Sequence, residues 1–63
     1  MTGTVTAIFP ERGYEFVEAE DREWFLHRGV YGFAFYSLTT DTGINFEGDP
    51  DHPRGPRITK ILP

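Results

Sequence analysis

Along this chain, ring and aliphatic side chains fall at alternate positions in short runs, and every run ends in glycine, proline or a polar cluster. A period of two is the spacing of a strand with one buried face, and no stretch carries helical spacing over enough turns to compete. Five strands are predicted, at residues 3–9, 14–19, 23–28, 42–47 and 57–62. Pro10-Glu11-Arg12-Gly13 and Glu20-Asp21-Arg22 suit tight turns, so the first three strands read as an antiparallel meander. Residues 29–40 hold rings and glycines without sustained alternation and read as a long loop with one helical turn near Ser37. Residues 48–56 contain three prolines and two glycines, which excludes a central strand.

Sixty-three residues make one domain spanning residues 1–63, and a chain this short buries only about 60% of the surface its unfolded form exposes. There is no cysteine, so neither disulfides nor a thiolate-bound metal reinforces the thin core. Five short strands cannot form two well-packed sheets, but they can curl into one barrel that hides most of its edges. The expected fold is therefore all-β, a five-stranded antiparallel Greek-key barrel of the OB type. Its core candidates are Val5, Val17, Leu26, Ile44, Phe46, Ile61 and Trp24.

That core decides how a second set of side chains is read. Tyr14 with Phe16, and Phe25 with His27, stand two apart on neighbouring strands, a pattern that serves equally well inside a barrel or on its surface. The faces opposite them already fill the interior, so the four rings are expected outside as one patch. Exposed rings are a platform on which unpaired bases stack, each worth roughly 1–3 kcal/mol.

The net charge of −4 opposes phosphate binding, which draws on lysine and arginine. Its distribution is uneven. Residues 11–23 hold six acids against Arg12 and Arg22, whereas residues 52–63 hold Arg54, Arg57 and Lys60 with no acid. A locally basic surface on an acidic protein is thus available. No apolar run approaches the roughly 20 residues of a membrane span. The absence of a leader-like start suggests a cytoplasmic location. Two histidines without triad or phosphate-loop spacing give no enzyme signature. Asp49-Pro50-Asp51-His52 collects possible metal ligands but lacks calcium-loop spacing and suits an acidic turn, so no cofactor is expected.

The order and spacing of several pieces resemble the bacterial cold-shock proteins and the cold-shock domain over nearly the whole chain. These are Gly3-Thr4-Val5-Thr6-Ala7-Ile8-Phe9, Arg12-Gly13-Tyr14-Glu15-Phe16-Val17, Trp24-Phe25-Leu26-His27-Arg28, Ser37-Leu38 and Arg54-Gly55-Pro56. The resemblance implies an OB barrel of the cold-shock type whose two motif strands present aromatics to single-stranded RNA or DNA. Carried over by position, Tyr14, Phe16, Phe25 and His27 match stacking residues, Phe35 matches a loop aromatic, and Arg12 and Arg54 match basic contacts. Arg28 stands where the family has a phenylalanine, and a guanidinium also stacks on bases and pairs with phosphate.

Other departures weaken the match. Thr6 and Ala7 replace the family's lysine and tryptophan on the first strand, and Ile8 replaces the phenylalanine that follows. Phe9, where the family has asparagine, either returns a ring to the surface or joins a local core. Glu15 replaces a glycine and is expected to reach solvent or an arginine. Trp24 replaces a smaller aliphatic residue and is expected to fill the barrel. For His27 the alternative to stacking is a structural hydrogen bond, and for Phe35 the alternative to base contact is a loop anchor.

These readings lead to a single-stranded nucleic-acid binder of low sequence specificity, RNA-chaperone-like and monomeric rather than dimeric. The acidic balance and lost first-strand contacts leave a second reading, a protein-interaction module with reduced nucleic-acid affinity whose exposed rings anchor a partner.

Overall fold

The computed structural model describes all 63 residues, and its five strands are β1 (Thr2–Phe9), β2 (Tyr14–Ala19), β3 (Arg22–His27), β4 (Gly43–Asp49) and β5 (Arg57–Ile61). They close a barrel in the order β1-β2-β3-β5-β4, with β4 returning to β1. The expected all-β, OB-type barrel is what forms. Neighbouring strands are antiparallel except at the β3–β5 seam, where a parallel junction is carried by the Phe25–Arg57 pairing. Such a junction follows from the connectivity: the excursion after β3 delivers β4 antiparallel to β1, and β5, antiparallel to β4, then runs in the same direction as β3.

Each local feature has a sequence cause. Gly13 takes φ = +74° at the end of the β1–β2 turn, in a left-handed conformation glycine adopts without steric cost, and its amide bonds back to the Phe9 carbonyl. The β2–β3 hairpin closes tightly between paired Ala19 and Arg22. Both of its central residues, Glu20 and Asp21, have positive φ, as the favoured two-residue hairpin turn requires, although neither is glycine. The excursion, expected as a loop with one helical turn over residues 29–40, starts one residue earlier and holds a short α1 (Arg28–Tyr31) and a 3-10 turn over Phe33–Ser37.

Two bulges set which side chains face inward. On β1, Val5 pairs with Val17 but Ala7 pairs with Phe16, so Thr6 is the extra residue and the alternation reverses beyond it. Ile8 then points inward while Ala7 and Phe9 turn outward. On β5, Lys60 pairs with Glu47 and Ile58 with Gly48, leaving Thr59 extra. This second bulge brings both Ile58 and Ile61 to the interior side. Ile58 is buried, whereas Ile61, expected in the core, packs only partly because it ends the strand.

The core comprises Val5, Val17, Ala19, Trp24, Leu26, Ile44, Phe46 and Ile58. Trp24 fills the barrel as expected, packs edge-on against Phe46 with centroids 5.4 Å apart, and donates its Nε1 hydrogen to the Ala19 carbonyl at 3.1 Å. Gly48 makes room for it, since a Cβ there would lie 2.7 Å from both Trp24 Cζ3 and the Arg57 carbonyl oxygen. Glu15 departs from expectation. It reaches neither solvent nor an arginine, because the alternation that turns Tyr14 and Phe16 outward turns the residue between them inward, where it is fully buried.

Candidate nucleic-acid interface

The outer face of β1, β2 and β3 is built of cross-strand rows. Phe9, Tyr14 and His27 form one row, and Ala7, Phe16, Phe25 and Arg57 form the next, extending across the seam onto β5. A third row holds Thr4, Glu18 and Glu23. Phe9, Tyr14, Phe16 and Phe25 of the first two rows form one contiguous cluster of rings. Phe9 lies 5.0 Å from Tyr14 and 6.1 Å from Phe16, Tyr14 lies 5.8 Å from Phe16 and 5.2 Å from Phe25, and Phe16 lies 6.1 Å from Phe25. These separations match favourable tilted and edge-on ring pairs. Tyr14, Phe16 and Phe25 are partly exposed and Phe9 is exposed.

Phe9 resolves to the surface alternative, and the bulge at Thr6 is the reason: unbroken alternation from Val5 would have carried position 9 inward. Sequence offers no direct sign of that bulge. Ala7 sits beside Phe16 in the second row and contributes only a methyl group, so the ring surface stops there.

His27 stands in the first row beside Tyr14, partly exposed, and its Nδ1 accepts a hydrogen bond from the Gly29 amide at 3.0 Å as the cap of α1. One nitrogen is therefore structural while the ring retains a position on the platform. Phe35 is corrected outright as a contact residue. It is buried beneath the excursion, packed edge-on to Tyr36 at 5.3 Å, and serves as the loop anchor. The exposed rings of that segment are Phe33 and Tyr36, which flank a concave surface with Arg28 and Gly32. Arg28 is exposed, donates from Nη1 to the Tyr36 hydroxyl at 3.0 Å, and lays its Cδ close over Gly13.

Cations approach the platform from two sides. Arg12 is exposed on the turn beside Phe9. Across the seam, Phe16 and Phe25 line a cleft of about 300 Å³ with Glu23, His52, Arg54 and Arg57. The Arg57 guanidinium lies 4.8 Å from the Phe25 centroid, a cation–π contact. Arg57 was missed as a site residue by sequence reasoning. Its signal was present in the acid-free stretch 52–63, but only the barrel closure places it against a ring. In the preceding loop His52 Nδ1 accepts from the Arg54 amide at 3.2 Å and Asp49 Oδ1 from the Asp51 amide at 3.0 Å, so the acidic turn uses these atoms to fold itself. The third row supplies the opposing charge, with Glu18 and Glu23 directly across from one another and exposed.

No protein-family model matches this chain, and no curated protein matches it. The small barrel with its exposed aromatic cluster is compatible with nucleic-acid binding on geometry alone. No helix is long and apolar enough to cross a membrane.

Proposed function

We propose that this protein binds single-stranded RNA or DNA with low sequence specificity, as an RNA-chaperone-like, cold-shock-type domain without catalytic activity. The observation that carries the proposal is the contiguous surface of Phe9, Tyr14, Phe16 and Phe25, four rings touching across three strands with part of each open to solvent. A ring cluster of this kind accepts any base, because every base has a π face. Arg12, Arg28, Arg54 and Arg57 supply phosphate contacts around it, while Glu18 and Glu23 repel phosphate from the third row. A bound strand accordingly lies along the first two rows. The similarity of the two motif strands to the cold-shock pattern supports the same reading.

With about four phosphate contacts the affinity is modest, and its logarithmic salt slope is at most about −3 on a single strand. The test is titration of labelled pyrimidine-rich and random oligonucleotides, followed by anisotropy, with Tyr14→Ala and Phe25→Ala alongside. Unchanged binding in both variants removes the stacking model. The Glu18–Glu23 pair favours one other reading, a protein-interaction surface for a basic partner. No oligonucleotide binding at low salt, with a basic partner recovered in its place, decides for that reading.

A further inference from the structure

Glu15 has no role in stacking, yet it is the most unusual residue in the barrel. Its exposure is 0%, and neither Oε1 nor Oε2 has a hydrogen-bond partner. It is flanked on the inward-facing side by Ile8 of β1 and Leu26 of β3, both apolar. No lysine, arginine or histidine is buried. Tyr31 of α1 is the titratable side chain packed against the core, and it makes no bond to Glu15. On β4 and β5, Glu47, Asp49 and Lys60 are exposed, and Arg57 is turned onto Phe25. A carboxylate in this position has lost its water and gained nothing in return, so the site favours the neutral acid. Burial pushes the Glu15 carboxyl up from the usual 4.5 to about 7.

Covalent geometry ties this group to the platform. Tyr14 and Phe16 are its two chain neighbours, and they hold the centre of the first and second rows. A carboxylate that leaves the interior must rotate its own stretch of β2, which swings both rings out of register with Phe9 and Phe25. Adding that charge to the surface between the rings also repels phosphate.

We propose that Glu15 is a pH-responsive latch for the aromatic surface: the protonated side chain stays in the barrel and holds Tyr14 and Phe16 in place, and the ionised side chain leaves and disperses them. Ionisation favours the opened strand over the closed one by the ratio of the two acid constants, about 300-fold for the shift from 4.5 to about 7. The device regulates the surface assigned above to nucleic acid, and its effect on binding rests on that assignment. The structural half does not.

The experiment has two arms. In the first, the Glu15 side-chain carboxyl carbon and the Tyr14 and Phe16 ring protons of the free protein are followed by NMR between about pH 5 and about pH 8. The expected result is a Glu15 titration well above the usual carboxylate range, with the ring signals moving on the same curve. Titration near 4.5, or ring signals that ignore it, overturns the latch whatever the protein binds. In the second arm, oligonucleotide affinity is compared at about pH 6 and about pH 8 for the wild type, Glu15→Gln and Glu15→Met, with an expected loss of at least about threefold on raising the pH in the wild type alone. A loss of equal size in the two variants does not come from Glu15 and overturns the latch. Absence of binding at every pH, with the coupled NMR titration present, refutes the nucleic-acid reading and supports the latch.

Discussion

Replacing Glu15 by glutamine should make the barrel more stable at neutral and alkaline pH while leaving it nearly unchanged in mild acid. The folded protein holds this carboxyl at about 7 against a usual 4.5. Between those values the folded state binds more protons than the unfolded one, so stability is fully present below the lower value and declines as pH rises through the upper one. The shift multiplied by 1.36 kcal/mol per unit gives about 3 kcal/mol, most of the roughly 3–5 kcal/mol that a core this small supplies. Glutamine has nearly the same shape and leaves polar atoms equally unpaired, a cost that does not vary with pH. The variant should match the wild type at about pH 4 and exceed it by up to about 3 kcal/mol at about pH 8, or roughly 12–25 °C in Tm. If the ionised side chain escapes to solvent, the difference is capped at the cost of opening β2, so a value below 3 kcal/mol measures that cost. Urea unfolding followed by fluorescence is suited to this, because Trp24 is the only tryptophan and is buried. Equal pH dependence in the two proteins would refute the reasoning, since the histidines and the other carboxyls are common to both.

Four further outcomes are expected. Phe25→Ala should lower oligonucleotide affinity by about 5- to 150-fold, the equivalent of one lost stacking partner, as measured by anisotropy titration. Phe35→Ala should destabilise the fold by about 3–5 kcal/mol, whereas Phe33→Ala should change stability by less than about 0.5 kcal/mol, and thermal unfolding separates an anchor from an exposed ring. Glu18→Lys should replace a like-charge pair opposite Glu23 by an attractive one, raising stability by about 0.5–1 kcal/mol and steepening the logarithmic salt slope of binding by about 0.7. Gly48→Ala should cost about 1–3 kcal/mol in chemical denaturation, because one side of the clash is the Arg57 backbone and the other is the enclosed Trp24 ring.

The strand pattern was legible because it depends on local periodicity and on turn residues. β2 begins and ends where alternation places it, and the other strands differ from expectation by only one or two residues at either end. The inward placement of Val5, Val17, Trp24, Leu26, Ile44 and Phe46 follows from the same pattern. What the sequence hid was phase. A bulge inserts one residue without any required residue type, so the outward turn of Phe9 and the inward position of both Ile58 and Ile61 become visible only in the pairing register. Glu15 was misplaced for a different reason. Its parity demanded an inward side chain while its charge demanded water, and the strand's geometry prevailed. Phe35 and Arg57 depended on tertiary closure, one through the fold of the excursion and the other through a seam joining residues distant in sequence.

That seam has a mechanical implication. The barrel is joined between β3 and β5 at the Phe25–Arg57 pairing, with the Phe25 amide also bonded to the Pro56 carbonyl, and the proposed ligand row crosses the same line. An oligonucleotide lying over Phe16, Phe25 and Arg57 acts as a clasp on the sparsest junction of the sheet. Such a ligand resists opening there and raises the whole molecule's stability with its own concentration, as RT ln(1 + [L]/Kd). The row proposed to hold the ligand is therefore also the row that closes the barrel.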